Sequence, residues 1–232
     1  MPAKPRRESS SSSVTVPSVL ASLKSLADKK TRQEMGSRYG IHTKKAFGIP
    51  MNKMLKLAKE IGRDHDLALA LWKTGWYEAR MVACMIDEPG RVTSKQMDQW
   101  CGDFDNWGIC DTVCFKLFDK VPDALEKVAK WAQSKEEFVK RGGFALLACV
   151  ALHNKTLADE PFVKLLPLVK AGASDERSFV KKGVSWALRG MAMRSPELRA
   201  EVLALSEQLA ASDEPAKRWV GKDVVRQLSK KR

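Results

Sequence analysis

The sequence predicts an all-α protein built as one solenoid of repeated antiparallel helix pairs. Apolar residues recur with helical spacing after Pro17, and no stretch alternates as a β-strand does. The motif Phe-Val-Lys-basic-Gly occurs twice, from Phe138 and from Phe179, which are 179 − 138 = 41 positions apart, and residues 217–221 form a weaker third copy. A repeat of this length in a helical sequence is typical of HEAT or armadillo superhelices. We expect such a stack to have a concave groove.

The helices can be placed from their apolar periodicity and from the residues that begin and end them. Proline or a capping residue is expected to begin helices at Pro17, Pro50, Thr93 and Pro122. Residues 87–90, Asp-Glu-Pro-Gly, interrupt the pattern as a loop. The other predicted helical segments are 31–39, 65–73, 76–86, one that contains Trp107 and Asp111, 135–153, 159–170, 175–194, 196–210 and 213–229.

The domain organisation predicted from composition is simple. Residues 1–16 are rich in serine, proline and arginine and are expected to form a disordered basic tail, while residues 17–232 form one HEAT-like helical repeat domain. The chain has five cysteines without Cys-x-x-Cys spacing. Cys110 and Cys114 are four residues apart, but we expect them to be buried thiols. We therefore predict no metal site and no cofactor.

The balance of charge is strongly basic. The sequence has 41 Lys and Arg residues against 28 Asp and Glu residues, a net charge of +13. This excess predicts a polyanionic partner, most simply nucleic acid, and a basic groove; a generic basic protein is the alternative. No apolar run reaches the roughly 20 residues that span a bilayer. The basic residues near the N-terminus are not followed by an apolar core, so we do not expect a secretory signal. We expect no membrane partner and a cytoplasmic protein, nucleoid-associated when bound to DNA.

The helix that contains the second copy of the motif has two distinct faces on a helical wheel. One face is aliphatic and predicts a core contact: Val180, Val184, Ala187 and Met191. The other face is a stripe that combines aromatic and cationic residues: Phe179, Lys182, Trp186 and Arg189. Cations hold phosphates and aromatic rings supply flat apolar contact, so the stripe predicts a nucleic-acid surface. Solvated cations are the alternative.

Two earlier segments have a similar composition. Phe138 and Arg141 share a side of their helix with small residues, which leaves room for something to approach. The adjacent Gly142-Gly143 implies close approach of another backbone, either a ligand or a neighbouring helix. Trp107 and Asp111 are i and i+4 and therefore neighbours on their helix. A core indole and a capping or ion-paired carboxylate are the alternatives for these two residues.

Taken together, three motifs resemble the AlkD-type DNA alkylation-repair glycosylases. The motifs are Asn106-Trp107-x-x-x-Asp111, Lys140-Arg141 at the opening of a helix, and Lys182-Gly183-x-x-Trp186-x-Leu188-Arg189. The resemblance runs from about Met35 to the C-terminus. It implies a HEAT-like superhelix that acts on alkylated bases. Gly142-Gly143 departs from the bulkier residues of that family.

The resemblance also implies roles for individual residues. The implied catalytic set comprises a carboxylate, two aromatic walls and a cleft arginine: Asp111, Trp107, Trp186 and Arg141. The implied DNA-binding set is Phe179, Lys182 and Arg189, to which we add Lys140 and Lys181. Among these, Arg141, Lys182 and Arg189 are expected to hold phosphates.

The implied activity is that of a monofunctional, metal-independent DNA-alkylpurine N-glycosylase. It would hydrolyse the N-glycosidic bond of positively charged alkylated purines, of the 3-methyladenine and 7-methylguanine type, in double-stranded DNA without base flipping. A cationic purine departs as a neutral base without a general acid, and an ionised Asp111 can stabilise the sugar cation. The resemblance favours a monomer.

Two other functions remain open from the sequence. The first is a non-catalytic HEAT-like DNA-binding protein that recognises distorted or branched DNA. The second is a protein-interaction scaffold, whose aromatic and cationic residues would dock an acidic peptide. The net charge argues against the scaffold, and the matched Asp111 separates the glycosylase from the DNA-binding protein.

Overall fold

The computed structural model describes residues 14–122 and 124–230. Within these ranges the chain is helical and has no strand, which confirms the all-α prediction. The described residues form thirteen α-helices: α1 Val16–Ser25, α2 Lys29–Ser37, α3 Met51–Ile61, α4 His65–Lys73, α5 Tyr77–Ile86, α6 Ser94–Gly102, α7 Trp107–Lys116, α8 Ala124–Ala132, α9 Glu137–His153, α10 Glu160–Gly172, α11 Ser178–Met191, α12 Pro196–Ala210 and α13 Pro215–Ser229. Short 3₁₀ turns follow α5 and α7.

Side-chain caps account for several of the helix starts. Thr15 forms a capping box with the first turn of α1, so this helix begins at Val16, one residue before the predicted start. Asn106 accepts a hydrogen bond from the first turn of α7 and thereby places Trp107 at its first position. Most of the predicted tail, residues 1–13, lies outside the described residues.

The helices pack in two layers. α3, α5, α7, α9, α11 and α13 lie side by side in chain order, and we call them the inner row. α4, α8, α10 and α12 pack against α5, α9, α11 and α13 respectively and form the second layer. The fold is therefore a stack of helix pairs, in which each inner-row helix contacts the next. No described helix is long and apolar enough to cross a membrane.

Glycines allow the helices of adjacent layers and pairs to approach closely. A Cβ added at Gly143 would lie 2.7 Å from the backbone nitrogen of Ala132, at the end of α8. One added at Gly190 would lie 3.0 Å from the carbonyl oxygen of Ala148. Helix–helix contact thus explains these glycines. The expectation that small residues beside Arg141 leave open space is wrong, because Ala148 is fully buried where α11 packs on α9.

The five cysteines are buried free thiols, as predicted for Cys110 and Cys114. Burial raises the pKa of the Cys84 thiol and of the Cys114 thiol to about 12, so both stay protonated at neutral pH. The described residues hold no cluster of three or more side chains that could bind a metal ion. The cysteines are therefore part of the core.

Candidate nucleic-acid site

The centre of the candidate site is an ion pair between two inner-row helices. Arg141 of α9 donates from Nε to Asp111 Oδ1 at 2.8 Å and from Nη2 to Oδ2 at 2.7 Å. Its Nη1 donates to the carbonyl oxygen of Phe179 at 2.5 Å. One guanidinium therefore joins α7, α9 and α11. The Asp111 side chain remains 20% exposed, whereas that of Arg141 is 7% exposed, so the carboxylate is the member of the pair that a ligand can reach.

Burial and the contact between the two residues shift the pKa of both Asp111 and Arg141. Burial raises the pKa of Asp111 above its ordinary value, and the hydrogen bonds and charge of Arg141 offset part of that effect. Burial works to lower the pKa of Arg141, but the hydrogen bonds and charge of Asp111 outweigh it and raise that pKa. The result is an oriented carboxylate next to a fixed positive charge.

The geometry does not favour the predicted phosphate contact of Arg141. The residue is buried, and Nε, Nη1 and Nη2 are used by Asp111 and the Phe179 carbonyl. A phosphate would have to displace these bonds to reach the guanidinium. The geometry instead makes Arg141 the residue that orients Asp111.

Trp107 lies one turn before Asp111 and is hydrogen-bonded to the loop of residues 38–50, which precedes α3. Its indole Nε1 donates to the carbonyl oxygen of Tyr39 at 2.8 Å. The Tyr39 ring is exposed, with the guanidinium carbon of Arg38 5.3 Å from its centroid. A Cβ added at the next residue, Gly40, would lie 3.9 Å from the ring of Phe179. The loop thus lies beside the starts of both α7 and α11. It was not predicted from the sequence as part of the site.

A buried glutamate of α5 holds the far end of this loop. The carboxylate of Glu78 accepts hydrogen bonds from the backbone nitrogens of Phe47, Gly48 and Ile49, at 3.0, 2.7 and 3.3 Å. Gly48 has φ +78°, a conformation that favours glycine. This role of Glu78 was not predicted from the sequence either, which suggested an ion pair for this residue. A glycine shortly before Pro50 marks the turn, but nothing in the spacing connects it to residue 78.

The aromatic and cationic stripe of α11 (Phe179, Lys182, Trp186 and Arg189), which we call the α11 stripe, begins beside α9. The rings of Phe138 and Phe179 are in contact, with centroids 5.3 Å apart. The exposed Lys182 places Nζ 5.8 Å from the Phe179 centroid. These residues of α9 and α11 therefore form one aromatic and cationic surface, next to the Asp111–Arg141 pair.

The two other predicted DNA-binding lysines have partners within the protein. Lys140 Nζ lies 2.9 Å from Asp175, which also binds Arg177, and these contacts lower the pKa of Asp175 well below its ordinary range. Lys181 Nζ lies 5.7 Å from the centroid of Trp219, which is 39% exposed on α13. The charge of Lys140 is therefore largely offset, whereas Lys181 and Trp219 extend the aromatic and cationic surface to the next helix.

The second half of the α11 stripe, Trp186 and Arg189, borders a hollow. Trp186 and Arg189 line a hollow of about 920 Å³, and neither Asp111 nor Arg141 is among its lining residues. Trp186 is seven residues beyond Phe179, which is about 10 Å along a helix. Trp186 therefore borders the hollow, and it follows by three residues Gly183, where an added Cβ would lie 3.5 Å from Arg141 Cγ.

Comparison with known families decides the classification. The chain matches the family described as DNA alkylation repair enzyme over residues 19–224. The chain belongs to this family. This confirms the relationship that the motifs indicated and makes the protein a member of a DNA repair family with a HEAT-like fold.

Two solved structures are similar to the chain. One is a protein described as belonging to a new family related to the HEAT-like repeat DNA glycosylases with affinity for branched DNA structures; it is 19% identical, with a TM-score of 0.75, over 92% of this chain and 95% of that one. A designed armadillo repeat protein is 12% identical, with a TM-score of 0.39, over 91% of each chain. No curated protein matches. The HEAT-like solenoid prediction is confirmed.

Proposed function

We propose that the protein is a monomeric DNA glycosylase that removes positively charged alkylated purines, of the 3-methyladenine and 7-methylguanine type, from duplex DNA without base flipping. Membership of the DNA alkylation repair enzyme family supports a repair function. The observation that carries the activity is the Asp111–Arg141 pair, in which a carboxylate is oriented by two hydrogen bonds and still partly exposed.

The proposed reaction needs few groups. The bond between the deoxyribose C1′ and the purine nitrogen breaks, and its electron pair neutralises the cationic base as it departs. The sugar is left with oxocarbenium character, which the negative charge of Asp111 stabilises. Water then adds to C1′ and loses a proton to the solvent through Asp111. A neutral leaving base requires neither a general acid nor a metal ion, and the reaction is monofunctional because water, not a protein amine, adds to C1′.

The surrounding residues have distinct parts in this proposal. Arg141 orients Asp111, and the indole of Trp107, one turn away, contacts the deoxyribose. Lys182 and Phe179 bind the DNA backbone beside the pair, and Trp186 and Arg189 contact DNA farther along α11. Lys140 and Lys181 contribute to the positive field, Lys140 less because of Asp175.

Release of free base from methylated duplex DNA tests the proposal. Wild-type protein should release 7-methylguanine or 3-methyladenine, and Asp111→Asn should lower that rate by about 100-fold or more while DNA binding persists. The matched control is Asp98→Asn, which removes a carboxylate 2.8 Å from both Lys127 and Lys130 in the second layer. Its rate should equal that of wild type. If Asp111→Asn releases base as fast as wild type, Asp111 is not the catalytic carboxylate.

A second candidate function is a non-catalytic protein that recognises distorted or branched DNA. It is favoured by the solved protein of the same fold that is described as having affinity for branched DNA structures. This alternative predicts no base release by wild type, together with salt-dependent binding that is tighter for a four-way junction than for a linear duplex. Base release and DNA binding, measured together, therefore distinguish the glycosylase from the non-catalytic DNA-binding protein.

A further inference from the structure

A basic pocket lies on the opposite side of α7 from the α11 stripe. In the inner row, α9 and α11 follow α7 on one side, and α5 and α3 lie on its other side. The pocket is formed where the C-terminal ends of α3, α5 and α7 meet, and its volume is about 340 Å³. We call it the α3–α7 pocket. Its lining includes four cations: Lys59, Arg63, Lys116 and Lys120.

The rest of the lining is apolar or small. Leu55, Ala58 and Met85 supply the apolar part. A Cβ added at Gly62, which also lines the pocket, would have no atom within 4 Å, so there is free space at this residue. Within residues 14–122 and 124–230, no aspartate or glutamate lines the pocket. An anion can therefore enter it without meeting a carboxylate.

Two of the four cations are held by backbone carbonyl groups at helix ends. Arg63 donates from Nη1 to the carbonyl oxygen of Met85 at 3.2 Å. Lys120 donates from Nζ to the carbonyl oxygens of Phe115 and Lys116, at 3.3 and 2.6 Å. These bonds cap the C-termini of α5 and α7. Helix capping is therefore enough to explain why Arg63 and Lys120 are present.

Capping does not explain the other two cations. Lys59 is exposed on α3, and Lys116 is partly exposed at the end of α7. Among the described residues, neither ammonium group has a hydrogen-bond or ion-pair partner; Lys116 Nζ lies 5.4 Å from the ring centroid of Phe115. Of the four cations, Lys120 alone is within ion-pair distance of a described carboxylate, that of Asp119 at 3.5 Å. The pocket therefore has positive charge that the fold does not use.

We infer that the α3–α7 pocket binds a phosphate of the DNA backbone, on the opposite side of Asp111 from the α11 stripe. Lys116 is five residues beyond Asp111 on α7, which is about 7.5 Å along a helix. Packed helices are about 8–10 Å apart, so α3 and α11 lie at similar distances on the two sides of α7. A duplex held by α11 alone would be fixed on one side of Asp111, whereas a duplex held by both surfaces is fixed across it.

A backbone phosphate fits the chemistry of the pocket. Phosphate oxygens accept hydrogen bonds from Lys and Arg, and such contacts position a duplex without reading its sequence. The described lining contains no aromatic ring on which a base could stack. The inference rests on the proposed function in one respect, that the polyanion is DNA.

The double variant Lys59→Ala/Lys116→Ala tests the inference, because neither residue caps a helix. It should lower the slope of log K against log salt concentration for an unmodified duplex by about one, since one phosphate contact is lost. The matched control is Lys164→Ala/Lys170→Ala, which removes the same charge from α10 in the second layer. The control should change the slope clearly less.

The length of the duplex tests where the contact lies. From α11 to α3 there are four helix spacings, roughly 32–40 Å, which about 9–12 base pairs cover at about 3.4 Å each. The affinity of wild type should rise with duplex length up to this range. The pocket variant and Lys182→Ala should each reach their maximal affinity with a shorter duplex, because each has lost the contact at one end.

The outcomes are distinct from those of the base-release assay. A salt slope that is unchanged in the pocket variant, or lowered equally in the control, would overturn the inference even if alkylated bases are released. So would stabilisation of wild type by inorganic phosphate that the pocket variant loses while its DNA binding is unchanged, because the pocket would then bind free phosphate. A lowered slope with an earlier length plateau, but without base release, would support the pocket and count against the glycosylase.

Folding of the variants is checked by thermal melting followed by circular dichroism. If the double variant is unfolded, Lys59→Glu replaces it, since Lys59 is exposed and has no described partner. This single charge reversal should also lower the salt slope, and an unchanged slope would overturn the inference.

Discussion

Arg141 binds both carboxylate oxygens of Asp111, at 2.8 and 2.7 Å, and uses its remaining terminal nitrogen on the carbonyl of Phe179. The residue is buried, so it acts on the carboxylate rather than on a ligand from solvent. Because Phe179 begins the α11 stripe, the same guanidinium also sets where the residues of this stripe lie relative to Asp111.

Arg141→Lys tests whether this geometry matters for catalysis. Lysine keeps the charge but cannot form two parallel bonds, so we expect kcat for base release to fall about 10- to 100-fold with little change in KM. The matched control is Arg177→Lys, which alters another bidentate pair, with Asp175. A fall in kcat of the same size in both variants, or a rise in KM alone, would contradict the orienting role.

The pH dependence of base release should report the titration of Asp111. The reaction needs the ionised carboxylate, and burial raises its pKa above the ordinary value. Activity should therefore be full above that raised pKa and fall as the pH drops through it, at a higher pH than for an ordinary aspartate. Single-turnover rates of base release, measured at a series of pH values, show this fall in activity on the acidic side. Its absence down to the pKa of an ordinary aspartate would contradict the assignment.

The salt dependence of DNA binding should distinguish the lysines. Lys182 is exposed, so Lys182→Ala should lower the slope of log K against log salt concentration by about one. Lys140 is 2.9 Å from Asp175, so Lys140→Ala should change the slope by clearly less. Fluorescence anisotropy titrations at several salt concentrations give both slopes. Equal decreases of the slope in the two variants would show that the ion pair between Lys140 and Asp175 opens when DNA binds.

Two glycines of the inner row should respond in opposite ways to alanine. A Cβ at Gly143 would lie 2.7 Å from the Ala132 backbone, so Gly143→Ala should cost about 1–3 kcal/mol of the free energy of unfolding. At Gly183 the nearest atoms would be 3.5 Å away, so Gly183→Ala should be neutral or stabilise by up to about 1 kcal/mol. Urea denaturation measures both. A Gly143→Ala variant as stable as wild type would mean that the α8–α9 contact relaxes easily.

Glu78→Gln tests how the loop beside Trp107 is held. The neutral glutamine side chain accepts hydrogen bonds more weakly than the carboxylate does, and its NH2 group would point at backbone N–H donors. We therefore expect the free energy of unfolding to fall by about 1–3 kcal/mol. Hydrogen exchange in residues 38–49 should rise more than in the rest of the protein. Exposed Glu126→Gln on α8 is the control and should change neither. A uniform rise across all helices would contradict a local role.

Much of the fold was predictable because its determinants are local. The predicted segments 65–73 and 196–210 coincide with α4 and α12. Apolar periodicity, caps and prolines act within one or two helical turns, so they can be read from the sequence. The forty-residue repeat likewise indicated the solenoid, since each repeat contacts mainly its neighbours.

The candidate site was predictable in its residues but not in their roles. Arg141 and Lys182 occupy the same place in two copies of Phe-Val-Lys-basic-Gly, three residues after Phe138 and Phe179. Yet Arg141 is buried against Asp111 of the preceding inner-row helix, whereas Lys182 is exposed. The sequence by itself determined the helices, their repeat and the aromatic and cationic stripe. Only the tertiary structure decided which cation is free for a ligand, because that depends on the side chain that the neighbouring helix places opposite it.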